Sequence, residues 1–365
     1  MTDAAESSVF PDRTLFLPFV LKEGQISELI GNSFRILPFP EPECAKINSR
    51  ERGFFMIYTC TLNPSLDYYM EFDKVELGKT NRSSLEYYEA GGKGINVSIV
   101  LNNLMIPSRA LGFVGGFTKD FFISLLQKYE YIEPVFTFIE GHTRINVKVK
   151  GDLLETELNA KGPSITEEDM RMMLRRVERL NRSDIFVLSG NCPDNLVDLT
   201  EKMIQLCIEN DVKFVLDVNH ELLLRLLKYK PFLVRPNIED LETMFDEVIA
   251  DQKQLIHAGR RCAELGAENV ILMMGKDGSL LINQDGVYHA NSIDAEVVNS
   301  VGAADSMIAG FVMNYLRSRD IITTFKYANC CGIATAFSKG MATREKIESL
   351  YDEILVTKID ENEEA

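Results

Sequence analysis

The feature that most restricts the fold of this chain is the alternation of helix-like and strand-like segments from about Lys161 to Gly275. "SITEEDMRMMLRRVERL" sets Met170, Met173, Leu174, Val177 and Leu180 at helical intervals. Thr166 stands three residues before Asp169 in capping-box spacing, so the segment reads as an amphipathic helix. There follow the apolar run "DIFVLSG", a helix from Leu196 to Glu209, the strand "KFVLDV", a short helix from Glu221 to Leu227, the strand "FLVRPN", helices through Leu265 and the strand "NVILMMG". Parallel strands need crossover connections, and a helix is supplied at each step. The order predicts an α/β fold, a doubly wound, mostly parallel sheet flanked by helices.

Two regions depart from this rhythm. Between Asp67 and Lys161, "DYYMEF", "SSLEYYEA", "TRINVKVKG" and "LLETELNA" are short alternating runs, typical of strands exposed on one face, with the helix "GINVSIVLNNL" among them. They predict a small sheet, formed from segments within about 67–90 and 135–161, that serves as a lid, a dimer surface or both. Residues 1–55 contain "PFPEPE" and "NSRERG" and hold no sustained period, so they read either as a small extra module or as an extension of no catalytic role, with the main domain, 56–360, opening on a strand near Met56.

Composition narrows the function. A net charge of −16 argues against binding nucleic acid or an anionic membrane surface, so any anionic substrate must meet a local cluster of positive charge. The seven cysteines are odd in number and lack C-x-x-C spacing, which fits buried thiols rather than a zinc site or a disulfide framework. The four histidines, His142, His220, His257 and His289, share no metal-ligand spacing. With no apolar run of 18 residues and an acidic start, "MTDAAESS", the expected location is the cytoplasm.

In open α/β sheets ligands bind beyond the carboxyl ends of the strands. Polar and small residues collect there: Ser189 to Asn191, Asp217 with Asn219, "RPNIED", "GKDG" and "GAADS". Each cluster alone fits an ordinary strand-to-helix turn; together they favour a phosphate-bearing ligand. "AGGKGINV" adds glycines that permit close backbone approach, and free N–H groups at a helix start, suited to a sugar hydroxyl or a phosphate. In "VVNSVGAADSMIAGFV" a single carboxylate, Asp305, sits among residues with almost no side chain at the head of an apolar helix.

"TLNPSLD", "GGKGINV", "GFVGG", "TRINVKV", "TELNAKGP", "RPNIEDLE" and "NSVGAADSMIAGF" resemble, in order and spacing, the ribokinase-like sugar kinases of the PfkB family. The likeness runs from about Met56 to the end of the chain. It implies a ribokinase-like fold and transfer of the γ-phosphoryl group of ATP, with Mg²⁺, to a hydroxyl of a phosphorylated ketohexose: fructose 1-phosphate, with tagatose 6-phosphate as the alternative. By the same resemblance Asp305 is the catalytic base and Gly302, Ala303 and Ala304 form an anion hole. Asp67, Gly92, Lys93 and Asn96 hold the sugar, Arg144 grips its phosphate, and Lys79 or Arg82 assists. Arg235, Asn237 and Asp240 lie near Mg²⁺ and the triphosphate, with the metal held mostly through water, and Gly275 and Gly278 form the nucleotide loop. A homodimer through the lid is also implied.

The departures from the family pattern gather on the nucleotide side and at the anion hole. Ala304 replaces the second glycine of G-A-G-D, Asp240 a glutamate, Met273 a serine and Arg235 a lysine, while "LDVNHE" stands for D-x-S-G-E. They leave open a second reading, a catalytically impaired protein that binds and senses a sugar phosphate.

Overall fold

The computed structural model describes residues 55–151, 155–298 and 300–359, so the expected extension at 1–55 lies, but for Phe55, outside the described residues. Strand β1 (Ile57–Thr61) is buried along its whole length. The chain then leaves as the hairpin β2 (Ser65–Glu71) and β3 (Leu85–Gly91), and returns through α1 (Lys93–Asn103), β4 (Ser108–Gly115), α2 (Gly116–Leu126), β5 (Ile132–Pro134) and β6 (Thr137–Ile139). It leaves once more as β7 (Arg144–Lys150) and β8 (Glu155–Leu158).

The predicted alternation follows: α3 (Glu167–Val177), β9 (Ile185–Ser189), α4 (Val197–Glu209), β10 (Lys213–Asp217), α5 (His220–Leu226), β11 (Leu233–Val234), α6 (Ile238–Phe245), α7 (Gln252–Glu264) and β12 (Asn269–Met273). Thr166 and Asp169 make the reciprocal capping box that opens α3. The chain closes with β13 (Ser279–Asn283), β14 (Gly286–Ala290), α8 (Ala303–Ser318), α9 (Ile321–Ala336), α10 (Arg344–Ser349) and β15 (Val356–Ile359).

Among the described residues one large sheet runs in the order β15-β14-β13-β12-β11-β10-β9-β1-β4-β5, with β6 also paired to β4. Pairing is parallel from β12 through β5 and antiparallel from β12 to β15. The antiparallel edge was not foreseen, although Asn283 pairs with Gly286 across a two-residue turn at "NQDG", a recognisable hairpin signal. Central strands are apolar on both faces because helices cover both. Phe186, Leu188 and Leu216 pack with Met203 on one side, while Val187, Val215 and Ile271 pack with Phe311 and Phe325 on the other.

The second sheet, β3-β2-β7-β8, is the small separate sheet expected as a lid. β7 and β8 fall within 135–161, whereas β2 begins at Ser65 and β3 ends at Gly91, just beyond 67–90, and Thr137–Ile139 belongs to the main sheet, because Phe138 pairs with Val114 of β4. No helix among the described residues is long and apolar enough to cross a membrane.

Candidate active site

Parallel strands in register end together, and here the ends are polar. Ser189 pairs with Asp217 at the last position of β9 and β10, and β1 ends beside them at Thr61. Just past β11 the chain places Arg235, 8% exposed, against Asp217, whose Oδ1 accepts from its Nε at 3.1 Å and from a terminal guanidinium nitrogen. Lys93, the first residue of α1, holds its Nζ 3.4 Å from both oxygens of the same carboxylate. A buried carboxylate is costly unless paired, and Asp217 has two cations beside it. The side-chain atoms Thr61 Oγ1, Ser189 Oγ and Asp217 Oδ2 remain buried without a hydrogen bond among the described residues, all at this edge.

Asp305 faces the edge from the first turn of α8 and is 4% exposed. Asn96 of α1 donates to its Oδ2 at 2.8 Å, and among the described residues Oδ1 carries no protein hydrogen bond. Burial, reinforced by the negative charge of Asp217, pushes the carboxyl up to about 6, against the opposing pull of Asn96, Lys93 and Arg235. It is thus ionised but basic near neutral pH, the condition a general base requires.

The turn before α8 depends on Gly302. Its φ of +79° lies in the left-handed region, and any Cβ there would strike the Met341 side chain. No side chain caps α8; the Ala303 N–H, expected in the anion hole, donates instead to the Ser300 carbonyl at 3.3 Å, so the Ala304 and Asp305 N–H groups, without a protein acceptor among the described residues, are those left for an anion. Ala303 and Ala304 are already helical, so alanine at 304 meets no backbone restriction where the family pattern has glycine.

This turn separates two cavities. One, of about 240 Å³, is lined by Asp67, Gly92, Asn96, Lys128, Lys148 and Val301. Asp67 is fixed in it by Ser65 Oγ at 2.6 Å and Asn146 Nδ2 at 3.0 Å, and burial raises its carboxyl above the usual range despite those bonds and the nearby Lys148 and Arg144. Gly91 makes room for it, since a Cβ there would overlap the carboxylate. The other cavity, of about 540 Å³, is lined by Gly275, Gly278, Ala303, Ala304, Met307 and Phe337 among others. Its buried polar pair, Ser279 and Asn329, is joined by a 2.5 Å hydrogen bond.

The structure therefore brings together Asp305, Asn96, Lys93 and Arg235, sets Asp67 and Gly92 on one side of Gly302, and sets Ala303, Ala304, Gly275 and Gly278 on the other. It does not gather every expected residue. Arg144 is close enough to Asp67 for their charges to interact, but it does not line the Asp67 cavity: it donates to the carbonyls of Asn63 and Ala160 and lines a third cavity, with Phe117 and His142. Lys79 pairs with Glu76 in the exposed connection of the lid, where Arg82 is also exposed. Asn237 caps α6 by accepting from Asp240 N at 2.6 Å, and Asp240 faces His220; neither lines the larger cavity. Arg235 turns to Asp217 instead of that cavity.

Sequence reasoning noted Asp217 at the sheet edge without a role, and missed Ser65, Asn146, Lys148 and Met341. Asn146 could have been found, because alternation in "TRINVKV" puts it on the face of Asp67, its partner across β2 and β7. Met341 left no local signal.

Comparison with known proteins gives a consistent answer. The model of the pfkB family carbohydrate kinases matches residues 61–347. A Bacillus subtilis 1-phosphofructokinase is 42% identical over 306 residues, covering 83% of this chain and 100% of the relative. A Bacillus licheniformis D-tagatose-1-phosphate kinase is 32% identical over 83% of this chain and 99% of its own. The solved phosphofructokinase-2 of Escherichia coli with substrates and products superposes with a TM-score of 0.77 at 22% identity, over 82% of this chain and 99% of that one, which shows a shared fold.

Proposed function

Because the chain belongs to the pfkB family of carbohydrate kinases, and so is a phosphotransferase with an alcohol group as acceptor, we propose that it phosphorylates D-fructose 1-phosphate at the 6-hydroxyl with ATP. The observation that carries the reading is the position of Asp305 in the first turn of α8, which begins between a small polar cavity and a larger apolar one, with one carboxylate oxygen free of protein hydrogen bonds among the described residues. The sugar occupies the Asp67 side and the nucleotide the Gly275–Gly278 side. As the 6-hydroxyl oxygen bonds to the γ-phosphorus and the bond to the β–γ bridging oxygen breaks, the hydroxyl proton passes to Asp305 and ADP leaves. The Ala304 and Asp305 N–H groups at the head of α8 receive the charge that develops on the phosphoryl oxygens. Lys93, held over the edge by Asp217, adds positive potential.

Mg²⁺ fits the donors present. Among the described residues no group of three or more His, Cys, Asp or Glu forms a metal cage, but Asp217 Oδ2 is buried without a hydrogen bond and Asp240 offers a second carboxylate. Mg²⁺ keeps several waters and needs only one or two carboxylates beside phosphate oxygens. When bound it would neutralise charge on the triphosphate.

The lid supports a homodimer. On one face Tyr68 and Tyr88 stack at 4.4 Å beside Met70, Val147 and Leu158, the last 58% exposed, while the opposite face carries Asp67, Glu89, Lys148 and Glu157. Leu158→Asp is expected to shift a dimer towards monomer in analytical ultracentrifugation.

The main test is a coupled assay with Mg-ATP offering fructose 1-phosphate, tagatose 6-phosphate and tagatose 1-phosphate side by side. Fructose 1-phosphate should give the highest kcat/KM. Turnover of none at millimolar concentration, with calorimetric binding retained, would instead identify a sensor.

A further inference from the structure

Two of the departures from the family pattern touch each other. Asp240 is one methylene shorter than the glutamate expected there, and His220 stands where D-x-S-G-E has glycine. The first shortens a side chain and the second fills space. Asp240 sits in the first turn of α6, behind its cap Asn237, and His220 is the first residue of α5. The two helix starts meet, so that the His220 backbone N–H donates to Asp240 Oδ1 at 3.2 Å and its Nδ1 lies 3.4 Å from the same oxygen. Oδ2 has no protein partner among the described residues. Both side chains are partly exposed, the histidine at 33% and the aspartate at 19%, so packing alone does not fix their rotamers.

We propose that His220 is a positioning residue for Asp240: the imidazole flanks one carboxylate oxygen and so limits the directions in which the other can meet the water shell of a metal on the triphosphate. The pair makes up for the missing methylene. A free aspartate would sample several rotamers, whereas one held on Oδ1 presents Oδ2 in a single direction. The backbone N–H contact is available to any residue at 220, so the inference concerns the imidazole, which glycine would remove. It rests on the reading of Asp240 as a carboxylate near Mg²⁺, reached through water.

The two positions make one unit, and a swap tests it. Mg-ADP and metal-free ADP are titrated calorimetrically into the full chain and into His220→Gly, Asp240→Glu, the double variant and Asp240→Ala. A partner that orients a group near a metal is worth about tenfold in affinity, so His220→Gly should weaken Mg-ADP by about that factor and leave metal-free ADP unchanged. Asp240→Glu alone should also weaken it, because the longer side chain meets the imidazole. The double variant should return to within about twofold of the parent, the non-additivity expected of residues in contact. Thermal midpoints report folding separately, and the KM for the sugar phosphate should not move. Unchanged Mg-ADP affinity in His220→Gly, or a double variant equal to the product of the singles, overturns the proposal. If Asp240→Ala fails to alter the difference between Mg-ADP and ADP, the reading of Asp240 is wrong and the role of His220 falls with it.

Discussion

The two cavities flanking Gly302 are built by different means. On the proposed sugar side the chemistry lies in side chains that hold one another: Ser65 and Asn146 fix Asp67, and Glu157 pairs with Lys148. On the proposed nucleotide side the lining is largely apolar, with Met273, Ile293, Val297, Met307, Ile333 and Phe337, and its buried Ser279–Asn329 pair satisfies itself. A fixed polar array loses binding when one member changes, because the partners are left buried and unpaired. A cavity of apolar surface and backbone tolerates exchange of similar volume. The contrast explains why Met273 and Ala304 can depart from the family pattern on the nucleotide side while the sugar-side motifs stay intact.

The largest effect should fall on neither side but on the residue between them. Asp305→Asn keeps the shape and removes the base, and is expected to lower kcat by about 10²- to 10⁴-fold while both substrates still bind. With its carboxyl raised to about 6, the parent enzyme should lose kcat as the pH falls through that value, and the Asn variant should lack this acid limb. Stability moves the opposite way. A carboxyl raised in the folded state binds its proton more tightly there than in the unfolded chain, so its stabilising contribution is complete below the unfolded value and is lost as the pH rises through about 6. At pH 7.5 the parent therefore carries an ionised, buried Asp305, and Asp305→Asn should stabilise the fold there, read as a higher thermal midpoint. An unchanged pH profile in steady-state kinetics would break the assignment.

Next come two substitutions meant to separate the cavities. Asp67→Ala removes a charged acceptor and should raise KM for the sugar phosphate roughly 10- to 100-fold with little change for Mg-ATP. Phe337→Ala removes an aromatic wall and should raise KM for Mg-ATP by about tenfold, leaving the sugar alone. If each variant shifted both KM values equally, the division at Gly302 would be false.

The doubly wound core was legible because each helix and strand announces itself locally: the capping box at Thr166 and the buried runs of β9, β10 and β12 need no distant partner to be read. The edge β13-β14-β15 was not read, although its turn was visible, because an antiparallel hairpin interrupts the rhythm that identified the rest. The site divides in the same way. Asp305, Gly302, Asp67 and Asn96 sit in motifs whose spacing is local. Pairings such as Arg235 with Asp217, Asp240 with His220 and Gly302 with Met341 depend on which ends the fold brings together. Arg144 lies near Asp67, as its motif suggests, but the bonds from its guanidinium to the carbonyls of Asn63 and Ala160 join parts of the chain far apart in sequence and left no local signal.

The smallest expected effect is the most informative about the nucleotide side. If the glycine of the family pattern were needed for its backbone freedom, Ala304→Gly should improve the enzyme. Residue 304 is the second residue of α8 and helical, so glycine offers the backbone nothing there and adds freedom to the unfolded chain. The variant should lose about 0.5–1 kcal/mol of stability, read as a lower urea midpoint, at unchanged m-value. The alanine methyl does face the larger cavity, so its removal enlarges the space beside the phosphoryl group slightly, and KM for Mg-ATP should change by less than about threefold. A tenfold gain in kcat would mean that the methyl, and not the backbone, has been obstructing the donor, and that the nucleotide side is less tolerant than its apolar walls suggest.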